Sequence, residues 1–249
     1  MQKKILMFLL LLCGCQPTIQ VPVDFAYKEI KTDKFTLASW QKITHPKAPF
    51  KIYVEGDGAA FTGDGRPSMN PTPKGTLLRE IAFGDEHENV VYLARPCQFV
   101  KDAQCEQKYW TTARFAPEVI SSTVQAIRTI SGGQELVLVG FSGGAQVAGL
   151  AAVTKKGLNV QKMVTLGGNF DHLAWTRHHH LPPLKESLNL ADYRDLYAQI
   201  PQRHFVGEKD KNILPFLVKD FVPEGTMTIV NGATHNQGWD KMYEAIRRE

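Results

Sequence analysis

Three residues in separate stretches of the chain have the types and the order needed for acyl transfer: Ser142, Asp210 and His235. Ser142 sits in Gly140-Phe141-Ser142-Gly143-Gly144, between the Val-rich run Glu135–Val139 and the small-residue segment Ala145–Thr154. A serine on a sharp strand-to-helix turn projects its hydroxyl outward, and the residues two before and two after it must be tiny to avoid collision. On such a turn the next backbone N–H, that of Gly143, is placed to donate to an oxyanion. The five-residue pattern alone recurs by chance. Its context, a buried strand before and a helix after, carries the weight.

That turn makes two demands further along: a carboxylate after a later strand and a histidine after the last one. The segment His204-Phe205-Val206-Gly207-Glu208-Lys209-Asp210 supplies the first, and Val230-Asn231-Gly232-Ala233-Thr234-His235 the second. In this arrangement His235 takes the Ser142 proton and returns it to the leaving group. Asp210 fixes the imidazole tautomer and stabilises the imidazolium. Asp171, just past the preceding strand, is the alternative acid, and Glu208 is a lesser contender.

At these residues the chain, from about residue 35 to its end, resembles the serine hydrolases of the α/β-hydrolase fold, the esterases and lipases among them. The resemblance implies a mostly parallel central sheet with helices on both faces. It also implies a second oxyanion donor from the loop after the strand Phe50–Val54. There the chain reads Glu55-Gly56-Asp57-Gly58-Ala59, where many esterases carry a His-Gly-type sequence. The amide of Gly56, Asp57 or Gly58 is expected to serve, because glycine lets the backbone approach a substrate. The acids standing in place of histidine are expected to orient the loop or to select a polar or cationic substrate.

The elements that must position these residues follow from periodicity and punctuation. Strands are expected at Phe35–Ile43, Phe50–Val54, Asn89–Leu93, Glu135–Val139, Val160–Leu166, Arg203–Val206 and Met227–Val230. Helices are expected at Thr76–Phe83, Pro117–Ile130, Ala145–Thr154 and Trp239–Arg248, with a turn or two over Phe216–Phe221. Alternation of this kind argues for an α/β architecture. The irregular stretch Asp171–Ile200 is expected to cover the carboxyl edge of the sheet and to decide specificity. Its His178-His179-His180 run lacks ligand spacing with a carboxylate, so no metal is expected. Tyr109-Trp110-Thr111 and Arg114 either wall a pocket or pack their loop onto the sheet, and Asn169, Trp175 and Trp239 are similarly ambiguous.

The first residues read as an export signal. Lys3 and Lys4 precede the apolar run Ile5–Leu12, too short to span a bilayer, and Leu12-Cys13-Gly14-Cys15 resembles a bacterial lipobox. Residues 1–14 are thus expected to be removed and Cys15 to carry lipid. Residues 15–34, with Pro17 and Pro22, are expected to form a tether to a domain spanning 35–249. Gln16 after the cysteine resembles the sorting rule for the outer membrane of a Gram-negative envelope. In an oxidising compartment Cys97 and Cys105, close together in one polar segment, read as a disulfide.

The 249 residues, 43% of them apolar, suffice for one sizeable core. The net charge of +4 is scattered rather than clustered, which argues against nucleic acid as a partner. The expected activity is hydrolysis of a carboxylic ester or related acyl bond of a small-molecule or lipid-like substrate, with no cofactor. Peptidase or acyltransferase chemistry on the same residues, and a catalytically silent envelope lipoprotein, are the alternatives.

Overall fold

The computed structural model describes residues 20–154 and 157–249. The expected signal segment 1–14 and Cys15 lie outside the described residues. Eight strands form one sheet: β1 (Ala26–Lys31), β2 (Thr36–Ile43), β3 (Phe50–Val54), β4 (Asn89–Leu93), β5 (Glu135–Phe141), β6 (Asn159–Leu166), β7 (Gln202–Gly207) and β8 (Met227–Val230). Their spatial order is β1-β2-β4-β3-β5-β6-β7-β8. β2 pairs antiparallel with both β1 and β4, and every pairing from β4 to β8 is parallel.

Helices connect the parallel strands, α1 (Leu77–Phe83), α2 (Pro117–Ser131), α3 (Gly143–Thr154), α4 (His172–His178), α5 (Arg194–Tyr197) and α6 (Pro215–Lys219), and α7 (Tyr243–Arg248) follows β8. β3 and β4 are buried at every position, the polar Lys51 and Asn89 included, as strands between two layers must be. Phe50, Ile52 and Val54 of β3 face the core layer built with α2 and α3. Tyr53 points to the opposite layer, built with α1 and α7. The helix ends follow local chemistry: α2 opens with Pro117 in its first turn and stops at Gly132, whose φ of 60° takes the left-handed cap.

Three expectations are corrected here. Ala26–Lys31, placed in the tether, is the edge strand β1, paired from Ala26↔Gln41 to Lys31↔Thr36. Only Ile30 of that strand is buried, so it carries no two-residue apolar alternation by which to be recognised. The stretch from Asp171 to Ile200 is not wholly irregular, since it holds α4, a 3-10 turn over Leu190–Tyr193 and α5. The closing helix is also shorter than expected: a 3-10 turn over Asp240–Met242 leads into α7.

Candidate active site

Ser142 stands between the end of β5 and the start of α3 with φ of +52°, a left-handed conformation strained for a residue with a side chain. The turn is held from both sides. Ser142 N–H donates to the Leu166 carbonyl at 3.0 Å, and the Ser142 carbonyl accepts from Ala145 and Asn169 N–H. The flanking glycines are steric requirements. A methyl on Gly140 would lie 2.5 Å from the Ala145 Cα, and one on Gly144 would lie 2.5 Å from the Glu55 carbonyl oxygen.

His235 Nε2 lies 3.0 Å from Ser142 Oγ, and its Nδ1 lies 2.7 Å from Asp210 Oδ2. Asp210 is itself fixed: its Oδ1 accepts from Asn212 and Ile213 N–H, each at 2.8 Å. With Nδ1–H donated to the carboxylate, Nε2 is the accepting nitrogen facing the serine. Phe141 stacks on the imidazole at 5.0 Å between centroids. A methyl on Gly167 would crowd both Asp210 Oδ2 and the His235 ring, so this glycine clears the space in which the two meet. Glu208, a contender for the acid, instead accepts the Gly232 N–H at 2.8 Å and ties the histidine loop to the β7 loop.

The alternative acid, Asp171, is placed elsewhere. It caps α4, accepting from Leu173 and Ala174 N–H and from Asn189 Nδ2. The segment around it supports the site from behind. Trp175 Nε1–H and His179 Nε2–H both donate to the Asn212 carbonyl, at 3.0 and 2.7 Å. Asn212, unforeseen from sequence, also directs Nδ2 at His235 Nε2 from 3.2 Å.

The loop after β3 distinguishes its three amides. Gly56 N–H donates to Glu55 Oε1 at 2.8 Å, so it is spent within the loop, contrary to its place among the expected oxyanion donors. Among the described residues, the N–H groups of Asp57, Gly58 and Gly143 have no protein acceptor. Glu55 is fully buried, and burial raises its carboxyl above the usual range despite hydrogen bonds from Tyr92 Oη–H and Gly56 N–H.

Asp57 is clamped by two buried guanidiniums, Arg95 on Oδ1 and Arg114 on Oδ2, and Arg95 in turn bonds the Arg114 carbonyl. Burial opposes its ionisation, but Arg114 and Arg95 outweigh that and hold the carboxyl below the usual range. This carboxylate packs where a Gly143 side chain would otherwise lie. The acids of the loop therefore have an orienting role: Glu55 holds the Gly56 amide, and Asp57 ties the loop to Arg95 after β4 and Arg114 before α2.

Cys97 and Cys105 are joined by a disulfide. Beside it, Cys97 and Phe99 both adopt positive φ, and the tight turn between them presents Gln98, whose Nε2 donates to the Gly56 carbonyl at 2.9 Å. Trp110 donates to the Ser68 carbonyl and Tyr109 packs on Phe35, so these aromatics fasten the loop, and neither lines the cavity that opens on Ser142.

A cavity of about 700 Å³ opens on Ser142 and His235. Its walls are the loop 55–59, the start of α1 with the residues before it, and the segment 236–243. No residue of 171–200 lines it, so that stretch does not shape it as expected. Trp239, buried beneath, donates its Nε1–H to the Thr234 carbonyl and underpins the histidine loop.

No family model matches the chain, and no curated protein matches it. Solved structures do. An α/β serine hydrolase without a lid from Xanthomonas campestris superposes with a TM-score of 0.56 at 14% identity, covering 91% of this chain and 94% of its own. Est1E from Butyrivibrio proteoclasticus gives 0.61 at 13% identity, with 89% and 96% covered. An esterase from Pyrococcus furiosus gives 0.59 at 15% identity, with 90% and 88% covered. At these identities the likeness concerns architecture, and with the sheet order above it establishes that the chain has the α/β-hydrolase fold.

Proposed function

We propose that the protein is a serine hydrolase that cleaves carboxylic esters through an acyl-enzyme on Ser142. The observation that carries this reading is the hydrogen-bonded line from Ser142 Oγ through His235 to Asp210, at 3.0 and 2.7 Å, opening on the cavity. Ser142 Oγ attacks the ester carbonyl as His235 Nε2 takes its proton. The carbonyl oxygen, now an oxyanion, is held by the Gly143 N–H together with that of Asp57 or Gly58. Collapse breaks the C–O bond to the alcohol, which leaves with the proton from His235. Water then attacks the acyl-serine, giving its proton to the same nitrogen, and the acid departs as Ser142 regains its hydrogen.

No cofactor enters this sequence of steps. The test is hydrolysis of p-nitrophenyl acetate by the wild type beside Ser142→Ala and His235→Ala. Loss of at least about a thousandfold in kcat in both variants is expected. Near-native turnover by Ser142→Ala would overturn the reading.

From the sequence around Cys15 we also propose that the chain is lipid-anchored in a bacterial envelope. Labelling of the expressed full chain with an alkyne fatty acid, abolished in Cys15→Ser, tests it.

A further inference from the structure

We propose that Asn212 is a further catalytic residue: its side-chain amide donates a hydrogen bond to the oxygen that leaves as alcohol and later enters as water. This inference rests on the serine-hydrolase reading and deepens it. Asn212 lies in the loop after β7, two positions past Asp210, and lines the cavity that opens on Ser142. Its main chain is fixed by three hydrogen bonds. The N–H donates to Asp210 Oδ1 at 2.8 Å, and the carbonyl accepts from Trp175 Nε1–H and His179 Nε2–H at 3.0 and 2.7 Å. These bonds use none of the Asn212 side-chain atoms, so they survive its replacement.

From this base Nδ2 points at His235 Nε2 across 3.2 Å, although the same nitrogen faces Ser142 Oγ at 3.0 Å. Nε2 has one lone pair, and the serine proton needs it. Nor does the ring depend on Asn212 for its place: Nδ1 is bonded to Asp210 Oδ2 at 2.7 Å, and Phe141 stacks on the imidazole. The asparagine bond is therefore one that the reaction breaks. Once Nε2 has taken the proton it accepts nothing, and the Asn212 N–H aimed at it has lost its partner. Two donors, Nδ2–H and Nε2–H, then face the same small space.

An oxygen about 2.9 Å from each fills that space. The leaving alcohol must bring its oxygen to Nε2 to collect the proton as its bond to the acyl carbon breaks. In deacylation the attacking water takes the same position, passing its proton to Nε2 as its bond to that carbon forms. In both steps the oxygen carries partial negative charge, and a hydrogen bond from a neutral amide stabilises it. The need varies with the leaving group. p-Nitrophenolate spreads its charge over the ring and departs unaided, whereas an alkoxide does not. Asn212 should thus matter for the cleavage of alkyl esters and for attack by water, and little for acylation by nitrophenyl esters.

The experiment compares wild type with Asn212→Ala, both as the full-length protein. It measures kcat/KM, which reports acylation, on p-nitrophenyl acetate and on ethyl acetate. Decay of the acetyl-enzyme is followed by rapid quench and intact mass, urea melts check folding, and fluorophosphonate labelling of Ser142 runs in parallel. In the variant kcat/KM for p-nitrophenyl acetate is expected within about threefold of wild type. For ethyl acetate it should fall about tenfold to a hundredfold, and decay of the acetyl-enzyme should slow as much. Equal losses on the two esters would overturn the inference, because they would place the side chain's effect on His235, the base for both. A wild type that labels but handles ethyl acetate no faster than the variant would overturn it too. Either outcome leaves the hydrolase reading standing. A folded wild type that takes no label would overturn that reading beneath it.

Discussion

Gly56 donates its backbone N–H to Oε1 of its own neighbour, Glu55, across 2.8 Å. This short bond lies within the loop proposed to supply the second oxyanion donor. It withdraws one amide and leaves those of Asp57 and Gly58 without a protein acceptor. The buried Glu55 side chain is anchored at its other oxygen by Tyr92 at 2.6 Å. Glu55→Ala frees the Gly56 amide and loosens the loop, so kcat should fall by about tenfold or more with KM little changed. Glu55→Gln keeps a carbonyl acceptor for Gly56 and should recover most of the rate. Equal losses in both variants would contradict a positioning role.

The identity of the acid is decided by comparing two asparagine variants. Asp210→Asn leaves His235 without its charged partner and should lower kcat/KM by about two to four orders of magnitude. Asp171→Asn should leave turnover near native and cost at most about 1 kcal/mol, because its carboxylate caps α4. The reverse ranking in ester assays and urea melts would transfer the role to Asp171.

The clamp on Asp57 carries stability as well as geometry. Arg114→Met removes one of two guanidiniums from a partly buried carboxylate and should destabilise the fold by about 3 kcal/mol. The remaining contribution depends on ionised Asp57. With its folded pKa below the ordinary 3.8, that contribution is intact above about pH 4 and disappears as pH falls through the folded value. Urea denaturation of the variant and wild type at pH 7 checks the magnitude, and an unchanged midpoint would refute it.

Much of the site was legible in the sequence because its parts are local backbone requirements. The small residues around Ser142 and the glycine-containing loop before His235 announce themselves within a few positions. The choice among Gly56, Asp57 and Gly58 was not legible, since it depends on where the Glu55 side chain points. Nor was the clamp. Asp57 meets Arg95 and Arg114, 38 and 57 positions away, only because β4 lies beside β3 in the sheet. The cavity joins residues near α1 to residues near the end of the chain, so no local pattern marks it. β1 escaped notice for the opposite reason: an edge strand with one buried residue looks like linker.

The disulfide should act on the site as well as on stability. Cys97→Ser/Cys105→Ser releases a loop of about nine residues and should cost about 2–3 kcal/mol. It also frees the turn that delivers Gln98 to the Gly56 carbonyl, so kcat should drop several-fold even well below the melting temperature. A variant that loses stability but keeps full kcat would separate the disulfide from the oxyanion loop.

Acid sensitivity has a source in the core. His204 is fully buried between Thr165 and Gln202, and burial pushes its imidazole from 6.5 down to about 3. The folded protein refuses a proton that the unfolded chain accepts below about pH 6.5. Stability is therefore intact above that pH and falls toward pH 3, by about 1.4 kcal/mol per unit from this residue. Buried His172, lowered by the same cause, acts in the same direction. Urea melts at pH 7, 5.5 and 4.5 should show a shallower loss for His204→Gln, and identical slopes would refute the assignment.

The central claim is that Ser142 is an activated nucleophile, and fluorophosphonate labelling followed by intact-mass and peptide analysis tests it most directly. The account predicts one adduct, mapped to Ser142, absent in Ser142→Ala and slowed by orders of magnitude in His235→Ala. A folded wild-type protein that takes no label, or takes it at another residue, would contradict it.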